Sequence, residues 1–244
     1  MRHSVLIPTT RPDLLPRALR SLETQTVAPA EVLVLHDGGP PLDLGDWPFP
    51  VRSFGVQPRL GPSLARNMLA AAAREEQLAF LDDDDEWLPR HLAHLGEGAL
   101  DGLVFTDALL QHEGEGWTRP FAFRFTPQLL RRTNPIILST VSVSRSAFWR
   151  VGGFDPSLGR YEAWDLFLRL QDAGVPLRRR AGADVRYRFS GRSLTADDEA
   201  MAEAFSAFCL RHQLEIARKS FASMLDDPDL LHVRDDGVTE DSDP

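Results

Sequence analysis

The first ninety residues alternate short, almost wholly apolar runs with stretches of helical periodicity, and that order leaves few folds open. Runs with no polar face suit strands covered on both sides, and a helix after each one returns the chain for a parallel neighbour. His3 to Pro8 is the first run. Pro12 opens a helix in which Leu15, Leu19 and Leu22 recur at helical spacing, an early proline being suited to a first turn. Glu31 to Leu35 is a second strand that ends in His36-Asp37-Gly38-Gly39. Val51 to Val56 is a third, after a loop holding Pro40, Pro41, Pro48 and Pro50. Gly61 to Arg74 reads as an alanine-rich helix with Ser63 as its cap. Gln77 to Leu81 is a fourth strand, and it runs into Asp82-Asp83-Asp84-Asp85.

The second half is less regular. Gly102 to Leu110 and Ile137 to Ser144 read as strands that extend the same sheet, Tyr161 to Ala173 as a helix closed by Gly174, and Arg178 to Phe189 as one more strand. Ala196 to Leu225 reads as a long helix with Met201, Phe205, Phe208, Cys209 and Ile216 on one face, which packs on the body or on a second copy of the chain. At 244 residues, 43% of them hydrophobic, the chain can bury a full core as one α/β unit. Residues 1–95 form one half, 96–195 the other, and 196–225 the C-terminal helix.

The net charge of −9 is concentrated at one end. Residues 226–244 carry eight acids against Arg234 alone and have no aromatic residue, so they read as a disordered, solvated tail. The rest is nearly neutral and has no basic stripe interleaved with aromatics, which argues against a nucleic-acid partner. Arg178-Arg179-Arg180 is too short to change this and reads as a solvated strand edge. No run of about 18 apolar residues is present to span a bilayer. Met1-Arg2-His3 leads straight into the first strand without a leader pattern, and Cys209 is the only cysteine, so a cytoplasmic setting is expected.

In an open α/β sheet ligands bind beyond the carboxyl ends of the parallel strands. Three strands deliver polar residues there: Thr9-Thr10-Arg11 after the first, Asp37-Gly38-Gly39 after the second, and the aspartate run after the fourth. Four adjacent carboxylates repel one another unless a cation or hydrogen-bond donors compensate. Mg²⁺ or Mn²⁺ would do so through one or two of them, with substrate phosphate completing the shell. In an extended segment Asp82 and Asp84 share a side. The plainer alternative is an acidic turn before the Trp87-Leu88-Pro89 segment. Asp37-Gly38-Gly39 is either a glycine turn or an acceptor for a base N–H, and Arg66 and Asn67 are either exposed helix polarity or nucleotide contacts. Trp87, Trp149 and Trp164 read as core, His36 as strand-end packing or else a contact to the base, and the seven histidines lack metal-ligand spacing.

Taken in order, Val5 to Arg11, His36 to Gly39, Gly61 to Asn67, Phe80 to Pro89, Val151-Gly152-Gly153-Phe154-Asp155 and Glu162 to Leu170 resemble the family 2 glycosyltransferases, over residues 3–195. The resemblance implies a GT-A fold: a Rossmann-like, mostly parallel sheet flanked by helices, with an acceptor-side second half. It also implies inverting transfer from a nucleotide-diphosphate sugar to a carbohydrate or lipid-linked acceptor, as in polysaccharide biosynthesis, with Mg²⁺ or Mn²⁺ at an Asp-x-Asp motif. By position, Thr9, Arg11 and Asp37 would hold base and ribose, and Arg66 the nucleotide. Asp82, Asp83 and Asp84 would form the ribose and metal site, with Asp84 the first metal ligand and Asp82 the second. Gly152, Gly153 and Phe154 would be the acceptor-side loop.

Two positions depart from the family. Its Glu-Asp pair, which carries the base that inversion requires, reads Glu162-Ala163 here. At helical spacing Ala163, Leu166, Phe167 and Leu170 form an apolar stripe, with Glu162, Asp165 and Arg169 on another face. Glu162 is therefore the first substitute base and Asp165 the second, unless both are only first-turn helix acids. The histidine expected near Ser190 is also absent from Tyr187-Arg188-Phe189-Ser190. Two other readings stand beside glycosyl transfer: a nucleotide-sugar-binding scaffold without activity, and nucleotidyl transfer to a sugar phosphate. The latter wants a glycine-rich, lysine-bearing loop after the first strand, where Thr9-Thr10-Arg11-Pro12 stands.

Overall fold

The apolar runs of the N-terminal half pair side by side. In the computed structural model, which describes residues 1–97, 101–189, 199–235 and 238, the first half comprises β1 (His3–Thr9), α1 (Leu15–Glu23), β2 (Glu31–Asp37), β3 (Val51–Val56), α2 (Pro62–Ala72) and β4 (Gln77–Phe80). The four strands are parallel in the order β3-β2-β1-β4. Alternation along each strand divides the core between the two sheet faces. Leu6, Leu33, Leu78 and Phe80 join one apolar cluster, and Val5, Ile7, Val32, Val34 and Ala79 join the other.

The second half adds β5 (Glu86–Trp87), α3 (His91–Gly96), β6 (Leu103–His112), β7 (Trp117–Phe121), α4 (Pro127–Arg132), β8 (Val141–Ser144), α5 (Arg145–Arg150), α6 (Glu162–Asp172), β9 (Leu177–Phe189), α7 (Glu199–His212) and α8 (Phe221–Leu225). β8 lies antiparallel between β4 and β6, and β9 runs parallel to β6. The single sheet reads β3-β2-β1-β4-β8-β6-β9-β5, with β7 hairpinned onto β6. The expected carboxyl edge is kept, because β1, β2, β3 and β4 all end on one side.

Several expectations are corrected. Ser63 does not cap α2; Gly61, at φ +85°, takes that position, and the Ser63 hydroxyl turns to Glu162. The strand expected from Ile137 begins only at Val141, after a 3-10 turn at Leu138–Thr140. The long C-terminal helix is two helices, because α7 stops at His212 and Gln213 takes φ +52°. A non-helical connector, 213–220, leads to α8, which Ser220 and Ser223 cap reciprocally. Phe205, Phe208, Cys209 and Ile216 pack against the core of the same chain, the first of the two roles expected for that face. Residues 196–198 and the side chain of Met201 lie outside the described residues.

The acidic tail is corrected as far as Asp235. Leu230 is buried, Leu231–Val233 form a 3-10 turn, Asp226 pairs with Arg119 at 2.7 Å, and Asp235 pairs with Arg179 at 2.9 Å. Arg179, read as a solvated edge, is instead tied at 2.7 Å to buried Asp107. Charge counting misled because the tail's acids find arginine partners on β7 and β9. Residues 239–244 lie outside the described residues. Trp87 and Trp164 are core, whereas Trp149 is 40% exposed. Among the described residues no helix is long and apolar enough to cross a membrane.

Candidate active site

The strand ends open into a cavity of about 890 Å³ bordered by Thr9, Arg11, Asp37, Arg66, Asp82, Asp83, Asp84 and Glu162. Thr9, the last residue of β1, donates its hydroxyl to Asp83 Oδ2 at 2.6 Å and accepts the Arg11 backbone N–H at 3.0 Å. The Arg11 guanidinium reaches Asp83 Oδ1 at 3.3 Å and Asp84 Oδ2 at 2.6 Å. The threonine-arginine segment and the aspartate run, distant in sequence, are thus bonded to each other.

The aspartate run is a turn rather than an extended segment, closed by the Asp85 N–H on the Asp82 carbonyl at 3.2 Å. Its exposure still alternates: the side chains of Asp82 and Asp84 are 29% and 37% exposed, that of Asp83 9%. Burial pushes the Asp83 and Asp84 carboxyls above the ordinary carboxylate range, and repulsion within the run adds to this against the pull of Thr9 and Arg11. Asp85 is fully buried. Burial and its acidic neighbours push it well above that range, and it accepts the Ser139 hydroxyl at 2.5 Å and the Arg188 N–H at 3.2 Å. Its role is to anchor the turn to the second half.

The donor set suits a hard cation. Asp82 and Asp84 both border the cavity, with one oxygen of Asp82 bonded to Arg66 and one of Asp84 to Arg11. Among the described residues no group of three or more His, Cys, Asp or Glu side chains is placed to cage a metal. A hard cation held at Asp82 and Asp84 would therefore need substrate phosphate and water to complete its shell.

Asp37 borders the cavity, but its first task is local. Its two oxygens accept the N–H groups of Leu60 at 2.7 Å and Gly61 at 2.9 Å, which sets the loop before α2. His36 binds the Pro40 carbonyl at 2.9 Å, as strand-end packing.

Glu162 lies in the cavity wall at 5% exposure and accepts hydrogen bonds from the Ser63 hydroxyl and from Arg66 Nη1. Arg66 Nη2 reaches Asp82 Oδ1 at 2.6 Å, so one buried guanidinium joins the aspartate turn to the candidate base. Burial opposes the Arg66 charge, but Asp82 and Glu162 more than offset it and hold its pKa above the usual guanidinium value. Burial pushes the Glu162 carboxyl up, and Arg66 and Ser63 pull it only part of the way back. Neither expectation for Arg66 and Asn67 describes them fully. Arg66 is a buried bridge, and Asn67 clamps Phe154, accepting its N–H at 2.9 Å and donating to its carbonyl at 2.8 Å.

Asp165 is corrected as a base candidate, because it does not border the cavity. It is fully buried, accepting from Arg169 Nε at 2.7 Å and bonded to His212 Nε2 at 2.9 Å. Burial pushes its carboxyl up, but those bonds outweigh burial and leave it below the ordinary range. Helical spacing placed Asp165 off the apolar stripe, but α7 packs on that face and buries it. Of the segment expected on the acceptor side, Gly152, Gly153 and Phe154 do not border the cavity, and Phe154 packs on Phe80 and Phe148.

Sequence reasoning missed Arg59, Arg160, Tyr161 and the stretch from Ala217 to Phe221, all of which border the cavity. One signal could have exposed the last: Lys219, next to Arg218, is the only lysine in the chain.

The family model described as Glycosyl transferase family 2 matches residues 4–151. A Bacillus subtilis (strain 168) protein, the uncharacterized glycosyltransferase YwdF, is 27% identical over 246 residues, spanning 94% of this chain and 91% of its own. Among solved structures, residues 1–349 of S. aureus TarS in complex with UDP match with a TM-score of 0.61 at 17% identity, covering 88% of this chain and 67% of that one. The same protein in complex with UDP-GlcNAc matches with a TM-score of 0.62 at 16% identity, covering 86% and 66%. A family match over more than half the chain, on a sheet whose strand ends gather an Asp-rich cavity, makes this protein a member of glycosyl transferase family 2, a glycosyltransferase with the GT-A fold.

Proposed function

We propose that this glycosyltransferase takes its sugar from a nucleotide-diphosphate donor whose diphosphate sits at Asp82–Asp84 with Mg²⁺ or Mn²⁺, and passes it with inversion to a hydroxyl of a carbohydrate or lipid-linked acceptor. The observation that carries this reading is the bonded chain Thr9–Asp83, Arg11–Asp84 and Asp82–Arg66–Glu162 around one cavity. It joins carboxylates suited to a metal and diphosphate to a separate buried carboxylate suited to proton transfer. The TarS structures of similar fold hold UDP and UDP-GlcNAc, which supports a uridine donor as the first to test.

The metal would neutralise charge on the departing diphosphate. Thr9 and Arg11 orient Asp83 and Asp84, and Arg66 holds Asp82. Glu162 would take the acceptor hydroxyl's proton. Burial raises its pKa, which makes it a stronger base than a solvated carboxylate. With alanine at 163, Glu162 is, among the described residues, the one cavity carboxylate outside the nucleotide-side segments. A cytoplasmic setting remains part of the reading, in keeping with the single free Cys209.

A second reading, a donor-binding protein without turnover, draws on the same carboxylate: Glu162 is already engaged by Ser63 and Arg66. Calorimetry with UDP- and GDP-sugars plus Mn²⁺, followed by an assay for released nucleoside diphosphate, separates the two. Release that is lost in Glu162→Gln while donor binding persists supports Glu162 as base. Unchanged release in that variant excludes it, and donor binding with no release on any acceptor favours the second reading. Should no nucleotide bind with Mn²⁺ present, both readings fail.

A further inference from the structure

The donor diphosphate would bring at least two negative charges to a place where Asp82, Asp83, Asp84 and Glu162 already outnumber Arg11 and Arg66, so one divalent ion leaves negative charge uncompensated. Of the arginines that border the cavity, Arg66 is matched by Glu162 and Asp82 and Arg11 by Asp83 and Asp84, while Arg59 and Arg160 stand elsewhere in its lining. Among the described residues the end of β9 brings Tyr187 to the cavity and no cation, Arg188 being turned to Glu86 at 2.7 Å. The connector 213–220, by contrast, delivers Arg218 and Lys219 to the cavity wall. It is anchored at both ends, by buried Phe208 in α7 and by buried Met224 and Leu225 in α8. Arg218 hydrogen-bonds Tyr161, which also borders the cavity, and Lys219 pairs with Asp227. An ammonium on a four-carbon stem can exchange one anionic partner for another without moving the backbone.

Resting on the donor reading above, we propose that this connector is the phosphate-recognising wall of the donor site, with Lys219 and Arg218 gripping the diphosphate. The test uses UDP, GDP and uridine as probes, with Mn²⁺. Because Lys219 is the only lysine, reductive ¹³C-methylation gives a single lysine side-chain resonance to follow by NMR. That resonance should shift when the nucleoside diphosphate is added and stay in place with uridine.

By calorimetry, Lys219→Ala and Arg218→Ala should each weaken diphosphate binding roughly tenfold. Uridine binding should not change, and Lys219→Arg should keep most of the affinity. Asp227→Asn, which removes the lysine's present partner, should bind the diphosphate at least as tightly as the parent. If the parent binds UDP or GDP and both alanine variants bind it equally well, the connector proposal is overturned and the donor reading stands. If Asp227→Asn reproduces the loss, Lys219 is a tether for the tail and the proposal is overturned again. If the parent binds neither diphosphate, both readings fall together.

Discussion

Replacing Arg66 with methionine tests the centre of the site, since it keeps the side chain's length and removes its charge. Arg66 is 7% exposed and Glu162 5%, so the variant leaves a buried carboxylate with Ser63 alone. Breaking one side of such a pair costs about 3–5 kcal/mol. Asp82, with its side chain 29% exposed, is rehydrated and adds less than about 1 kcal/mol. For a chain of this size the melting temperature should fall on the order of 10 °C. The penalty has a definite pH sign. Without Arg66 the Glu162 carboxyl is pushed further up, so the folded state binds a proton more readily than the unfolded one, and the loss should shrink as pH falls from 8 to 5. Adding Glu162→Gln removes the stranded charge and should restore at least about 2 kcal/mol. Urea unfolding followed by tryptophan fluorescence at pH 5, 6.5 and 8 measures all three quantities. A penalty below about 1 kcal/mol, or a double variant no more stable than Arg66→Met, would refute the buried bridge.

Three further outcomes are expected. Gly153 sits at φ +71°, and an added Cβ would stand 2.6 Å from Asn67 Oδ1. Gly153→Ala should therefore cost about 2 kcal/mol in urea, and an unchanged midpoint would contradict the Asn67 clamp. Burial lowers His3 to about 4 and holds His91 well below its usual value. The unfolded chain then takes up protons that the fold refuses, so stability is intact above pH ~6.5 and lost as pH falls toward 4, roughly 3 kcal/mol from His3 alone. His3→Gln should flatten the urea midpoint across that window, and a variant as acid-sensitive as the parent would place the effect elsewhere. Asp84→Asn should reduce Mn²⁺-dependent nucleotide binding by calorimetry at least tenfold while leaving metal-free binding nearly unchanged, and equal losses with and without metal would remove Asp84 as a ligand.

The fold was legible because its signals are local. Val5, Leu6 and Ile7, like the runs of β2 and β4, are unbroken apolar stretches that mark strands covered on both faces, and the structure divides them between two core clusters. The carboxyl-edge rule places Thr9, Arg11 and the aspartate run together, and they border one cavity. The C-terminal region was less legible. Apolar spacing runs on past His212, although the helix breaks at Gln213, and an acid count could not anticipate the arginines that receive Asp226 and Asp235.

From the sequence alone came the α/β class, the strand ends that carry polar chemistry, and the substitution of Ala163 where a base was expected. Tertiary structure decided how the acids divide their work. Glu162 and Asp165 stand on one helix with the same residue chemistry, yet α2 brings Arg66 and the cavity to the first, while α7 brings His212 and burial to the second. The physical reason is that periodicity records which face of an element is apolar, whereas the partner of a charge across the sheet depends on how distant segments pack. No local pattern encodes that a residue at 66 will meet one at 162, or that 217–221 will complete the wall.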